Sequence, residues 1–389
     1  MLTPPLKLIC AITAALALAV GLSANAYAAK GMEMAVQDDA VLWQGLYSNP
    51  QVDLVLAEGL HATRVKANVL WYYVVGGKTA RKKKAPKRIK YNWSGYDALI
   101  ANANAHGMKV QLALTGPAPA YATSNHRIGP MRPSAKKFKS FARAAAKHFK
   151  GRVDRYSIWN EPNHRGWIAP IKRQAKLYRA IYLAGYSAIK RADRHAKVLF
   201  GETSPFGLAH GRNAQPPLKF IREVTCANKR YKRARHCGRI KTDGVAHHPY
   251  DFDHKPTYKY PGKDNVTIGV LSRLTRALSK LRKAKLLSTP RGGVPYVYLT
   301  EYGYFSSGSR KMSTSKHGKY LVQAFTIAQK NPRVKEMLHF LLVQPSRKYR
   351  FFDTSLADRT GKPGRAFKKL AAWAAKAAAA GRIAVKPRY

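Results

Sequence analysis

Two short runs deliver a carboxylate directly after an apolar, strand-like segment: Trp159-Asn160-Glu161-Pro162-Asn163, and Leu299-Thr300-Glu301-Tyr302-Gly303-Tyr304. Two carboxylates on one rim can divide two tasks between them. One protonates a leaving oxygen, and the other attacks the neighbouring carbon or activates water, which is the division of labour that glycosidic bond cleavage requires. Taken singly, each glutamate has a plainer reading. Glu161 suits the first turn of a helix entered through Pro162, and Glu301 suits an ion pair with one of the many basic side chains. The chemical reading depends on their matched positions at strand ends.

Those positions follow from an alternation that runs through most of the chain. Strand-like runs fall at 33–39, 62–72, 108–115, 153–160, 197–202, 244–250, 296–301 and 337–344, and helix-like segments at 49–58, 94–105, 134–149, 171–192, 216–223, 269–284, 313–330 and 365–380. Strands such as Tyr156-Ser157-Ile158-Trp159 are largely apolar, as parallel strands covered on both faces should be. Local signals agree: Pro50 sits as a first-turn proline after Asn49, Gly107 closes the second helix and Ser134 caps the third. Eight alternating units predict an α/β fold of the (β/α)₈ TIM barrel type, in which reactive groups gather at the C-terminal ends of the strands. Glu161 then ends the fourth strand and Glu301 the seventh.

With these elements placed, the chain resembles the clan A glycoside hydrolases, which carry Asn-Glu after the fourth strand and a second glutamate after the seventh. Asn160-Glu161 and Glu301 match that pattern. Tyr91-Asn92-Trp93 and Thr115-Gly116-Pro117 also look like secreted actinobacterial members. The resemblance implies a retaining β-glycosidase acting on a β-linked oligo- or polysaccharide, with Glu161 as acid/base, Glu301 as nucleophile and Asn160 on the sugar 2-hydroxyl. It further implies that Arg64 stands near the nucleophile and holds it ionised. His248 and Tyr250, at the end of the sixth strand, would reach the nucleophile or the substrate, although Pro249 interrupts the alternation that would place them on one face. Many clan members have a tryptophan platform at the end of the eighth strand, whereas this chain reads Leu342-Val343-Gln344-Pro345. Trp71, Trp167, Tyr302 and Tyr304 are the alternative stacking surfaces, or else ordinary packing.

Two rivals stand beside this reading. The cluster His247, His248, Asp251, Asp253 and His254 suggests metal ligands of a hydrolytic barrel, but the first strand lacks the His-x-His pair that such barrels begin with. The other rival is a basic carbohydrate- or polyanion-binding barrel that has lost turnover. Two-carboxylate chemistry calls for no metal and no cofactor, and none is expected.

Composition sets the remaining bounds. The 389 residues are 46% hydrophobic, enough for one large core. Residues 1–28 read as a cleavable export signal: Lys7 precedes an apolar run from Leu8 to Leu22, and Ala26-Tyr27-Ala28 gives the small-x-small site. A single catalytic domain at 29–389 and an extracellular location follow as expectations. The apolar run is short for an integral membrane anchor. Loss of Cys10 with the signal leaves Cys226 and Cys237, an even pair suited to a disulfide. The 71 Lys and Arg against 19 Asp and Glu give a net charge of +52. Basic runs lie in the connections 76–90 and 228–239. Such a surface suits adhesion to an anionic cell wall or other extracellular polymer, or simply keeps the protein soluble, and an export segment argues against a specific nucleic-acid target.

Overall fold

The computed structural model describes residues 31–208 and 212–386, so the expected export signal lies outside the described residues. Eight parallel strands close into a barrel: β1 (Glu33–Gln37), β2 (Arg64–Leu70), β3 (Lys109–Thr115), β4 (Arg155–Ile158), β5 (Lys197–Thr203), β6 (Gly244–His247), β7 (Val297–Leu299) and β8 (Val334–Phe340). Each pairs with its sequence neighbours, and β1 pairs with β8 to close the ring. The main helices alternate with the strands: α1 (Pro50–Gly59), α2 (Ser94–Ala105), α3 (Ala135–His148), α4 (Gln174–Ala192), α5 (Pro217–Val224), α6 (Ser272–Lys283), α7 (Thr314–Gln329) and α8 (Arg365–Ala379). The (β/α)₈ expectation is met. A small parallel pair, Ile240–Lys241 with Leu287–Ser288, lies outside the barrel.

Sequence explains the helix ends. The Asn49 side chain accepts a hydrogen bond from the Gln51 amide and Pro50 opens α1, while Ser134 accepts from the Lys137 amide at the start of α3. Gly107 follows α2 with φ of +67°, a conformation in which glycine carries no Cβ penalty. Along α3 the buried side chains Phe138, Phe141, Ala142 and Ala145 recur at the spacing of one helix face and pack on the barrel. Cys226 and Cys237 form a disulfide that closes the basic loop after α5.

The strand boundaries required one correction with consequences. The eighth strand runs over Val334–Phe340, three to four residues earlier than expected at either end, because Leu342 and Val343 are buried beyond the strand and look like its continuation. The residue at its end is therefore Phe340.

Inward-facing charges divide the barrel into layers. At the N-terminal end, Arg64 and Arg155 bind Glu33 (2.9 and 2.6 Å), Arg64 binds Asp154 (2.7 Å), and Arg155 binds Glu336 (2.5 Å). Burial pushes Glu33 upward, but the two guanidinium groups hold its carboxyl down at about 2. Burial dominates at Glu336 and lifts it to about 7 against the pull of the same arginines.

Candidate active site

The C-terminal ends of the strands surround a cleft of about 530 Å³. Glu161 enters it from the turn after β4, where Trp159 and Glu161 adopt φ of +73° and +34°. Positive φ is costly for residues with a Cβ and persists where the surroundings enforce it. Here Trp159 is held by the Leu114 carbonyl (2.8 Å) through its amide and by the Trp167 carbonyl (3.0 Å) through its indole N–H. Asn163 ties the same turn to the segment after β5: its Nδ2 donates to Ser204 Oγ and the Gln215 carbonyl, both at 2.8 Å, and its Oδ1 accepts from the Ser204 amide.

Glu301 follows β7 and lies 3.3 Å from Lys66 Nζ. Both rim carboxylates reach one imidazole nitrogen: Glu161 Oε1 is 3.2 Å and Glu301 Oε2 3.4 Å from His248 Nδ1. These two oxygens are consequently no farther apart than about twice that distance. Tyr250 donates its hydroxyl to Glu301 Oε2 at 3.4 Å. His248 and Tyr250 thus meet at the same carboxylate although β6 stops at His247, so the interruption at Pro249 does not separate them.

Glu202 completes the cluster and was not anticipated. It is the extra residue of a bulge in β5, where the pairing with β6 steps from Gly201 to Thr203. Gly201, at φ +116°, passes so close to the Ala246 carbonyl that a Cβ would collide with it. Fully buried, Glu202 contacts His248 Nε2 (2.7 Å), Lys66 Nζ (3.2 Å) and the Thr300 hydroxyl (2.7 Å). A glutamate directly after a glycine near the end of an otherwise apolar strand was the available signal.

The electrostatics follow from this packing. Burial would raise Glu202, yet Lys66 and His248 hold it down at about 2. Burial works against a charge on His248, but Glu301, Glu161 and Glu202 outweigh it and lift its pKa to about 9. Burial raises Glu301, opposed by His248 and Lys66 and assisted by Glu161. His248 is therefore a cation at neutral pH, held between carboxylates.

Other expected site residues fall in and out of the cleft. Asn160, Trp167 and Tyr250 line it, together with Asp39, Asn68, Phe206, Phe252, Phe340 and Phe352. Asn160 and Asn68 each carry a buried Oδ1 with no hydrogen-bond partner among the described residues. Arg64 is a correction: it lies in the N-terminal charge layer, and Lys66 is the β2 cation beside Glu301. Arg64, Lys66 and Asn68 share the inward face of β2 at successive heights, and four residues of strand span roughly 13 Å. Trp71 is also corrected, being fully buried and stacked on Phe141 at 5.4 Å outside the cleft lining. Tyr302 is fully buried behind Tyr250, with ring centroids 6.0 Å apart, and Tyr304 is buried with its hydroxyl on the His254 carbonyl. Neither tyrosine lines the cleft.

The alternative metal cluster diverges. His247 bonds Thr203 and the Val266 carbonyl, His254 bonds Asp251, and Asp253 pairs with Arg310. Among the described residues no group of three or more His, Cys, Asp or Glu side chains is arranged to hold a metal ion.

No family profile matches the sequence, and no curated protein sequence is significantly similar to it. Solved structures do match. A family 39 glycoside hydrolase from Bacteroides cellulosilyticus WH2 superposes with a TM-score of 0.63 at 16% identity, over 89% of this chain and 64% of that one. A monomeric β-xylosidase from Caulobacter crescentus CB15 gives 0.55 at 16% identity, over 88% and 69%. A psychrophilic family 10 endo-β-1,4-xylanase gives 0.54 at 16% identity, over 89% and 98%. The chain thus spans just under two thirds of the family 39 enzyme and nearly all of the family 10 enzyme. At these identities the shared property is the fold, a closed eight-stranded barrel similar to that of clan A glycoside hydrolases.

Proposed function

We propose that the protein is a retaining glycoside hydrolase that cleaves a β-linked glycoside, with Glu301 as nucleophile and Glu161 as acid/base. The observation that supports it best is the pair of carboxylates bound to one imidazole nitrogen in one cleft. Contacts of 3.2 and 3.4 Å to one nitrogen keep these oxygens within about 6.6 Å of each other, which admits the roughly 5–5.5 Å of a retaining pair and excludes most of the wider gap, about 6.5–9.5 Å, of inverting enzymes. In the first step a Glu301 oxygen bonds to the anomeric carbon, the bond to the aglycone oxygen breaks, and the Glu161 proton passes to that oxygen. In the second, water attacks the same carbon, gives its proton to Glu161, and releases Glu301. The unpartnered amide oxygens of Asn160 and Asn68 suit sugar hydroxyl donors, since buried acceptors without partners are rare. Phe340, Phe252 and Trp167 offer flat apolar faces. The names of the structural neighbours agree with this reading. The β-linked oligo- or polysaccharide expected from the sequence is one form of such a substrate.

Chemical rescue tests the assignment. Glu301→Ala should lose turnover on all substrates. Glu161→Ala should still be glycosylated by substrates with activated leaving groups and regain turnover with azide, giving a β-azide product, while azide with Glu301→Ala should give the α product. Identical behaviour of the two variants, or an inverted product from the wild type, would refute it.

We infer a separate role for the surface: retention on an anionic extracellular polymer after export. A second cleft, of about 560 Å³, between α5, α6 and the disulfide loop is lined by Arg222, Lys229, Lys263, Arg273, Arg276 and Lys280. The acid in its lining, Asp264, is held by Arg222 at 2.6 Å. Adsorption to polyglutamate or polyphosphate resin should weaken steeply with salt, and salt-insensitive adsorption would count against the inference.

A further inference from the structure

This inference rests on the glycosidase reading and concerns what the catalytic cleft accepts. The chain contains 71 Lys and Arg, yet none of them is among the described residues that line this cleft. Three acids line it instead: Asp39, Glu161 and Glu301. The nearest cations, Lys66 and His248, are completely buried and already engaged by Glu202 and Glu301. Among the described residues, a uronate or sulfated sugar would therefore meet these acids and no lysine or arginine at the lining.

The second observation is how polarity is distributed along the lining. Asp39, Asn68, Asn160, Glu161, Tyr250 and Glu301 stand at or near the strand ends, and Gln44, Tyr47, His164 and Ser204 add polar groups from the connections. The segments after β4 and β5 contribute Trp167, Phe206 and Leu208, the end of β8 contributes Phe340, and other connections contribute Phe252 and Phe352. The last three form a contiguous aromatic surface, with Phe352 5.7 Å from Phe252 and 5.6 Å from Phe340. Phe206 is itself fixed by stacking on Tyr260 at 5.0 Å. A second sugar could stack one apolar face on the Phe252–Phe340–Phe352 surface but would find no polar partner there for its edge hydroxyls, whereas an apolar ring would lose nothing in hydrogen bonding.

We propose that the substrate is an uncharged glycoside whose leaving group is a flat apolar alcohol, such as a phenol, rather than a further sugar. Non-hydrolysable thioglycosides separate binding from leaving-group reactivity. Calorimetry with wild-type protein would compare phenyl and naphthyl 1-thio-β-D-xylosides and -glucosides with S-linked disaccharides of the same sugars and with phenyl 1-thio-β-D-glucuronide. The aryl thioglycosides should bind at least about tenfold more tightly than the disaccharides, and the glucuronide more weakly than the glucoside. Phe206→Ser should weaken aryl binding by about five- to tenfold, the size of one aromatic contact, and leave disaccharide binding unchanged. Leu208→Asn, at a partly exposed position outside the core, should act in the same direction. A disaccharide that binds as tightly as the aryl ligand, or a glucuronide that binds tightest, overturns the proposal and leaves the catalytic assignment standing. If no glycoside is bound or cleaved, both fail together.

Discussion

Glu202 Oε2 lies 2.7 Å from His248 Nε2, at the opposite ring nitrogen from the one that meets Glu161 and Glu301. It is one of three glutamate side chains that raise the His248 pKa. Because the folded pKa, about 9, lies above the ordinary histidine value, this contribution to stability is complete below about pH 6.5 and is lost as pH rises through 9. Glu202→Gln should lower the His248 pKa and bring the alkaline loss of stability to lower pH. Thermal unfolding midpoints between pH 6 and 10 check this, and parallel profiles for variant and wild type would count against it.

Lys66 opposes the burial of Glu301 from 3.3 Å away. Lys66→Met removes that attraction, so Glu301 should protonate at higher pH. An opposite charge at this range shifts a carboxyl by about 1–3 units, and the acid limb of kcat/KM on an aryl β-glycoside should rise by about 1 unit or more. An unmoved acid limb would remove either Lys66 or Glu301 from the reaction.

Arg64 should behave differently although it is two residues away on the same strand. Arg64→Met leaves Glu33 and Asp154 short of a buried partner, and breaking a buried pair costs about 3–5 kcal/mol. Arg155 still reaches Glu33, so the lower figure is expected. Denaturant unfolding should show the loss, while kcat measured well below the midpoint should stay within about twofold of wild type, a difference of less than 0.5 kcal/mol.

Asn163 holds the strained turn that presents Glu161. Asn163→Ala leaves the Ser204 amide and the Gln215 carbonyl without this partner, at a cost of about 1–3 kcal/mol. If the turn relaxes, kcat should fall more on substrates that need protonation than on those with activated leaving groups. Equal losses on both would assign Asn163 to stability alone.

The two rim glutamates were legible because a carboxylate that closes an apolar run is unusual, and the barrel count fixed the end of the strand at which they stand. Height within the barrel was not legible. Alternation shows that Arg64, Lys66 and Asn68 share a face of β2, but where a strand crosses its neighbours depends on the shear of the closed sheet, a property of all eight strands together. Choosing Arg64 over Lys66 was an error of that kind. Glu202 escaped notice because an extra residue in β5 turns it inward, and a bulge leaves little trace beyond its glycine. Phe340 was hidden by Leu342 and Val343, whose burial beyond the strand gave them the same apolar character. Trp71 and Tyr302 show the limit of residue type: large aromatics serve the core as readily as a sugar face.

The separation of charge between exterior and cleft has a bearing on ionic strength. The second cleft is lined by six lysines and arginines, and the described lining of the catalytic cleft holds none. If the surface holds the protein on a charged matrix and the substrate is uncharged, both as proposed above, salt should decide where the molecule resides rather than how fast it turns over.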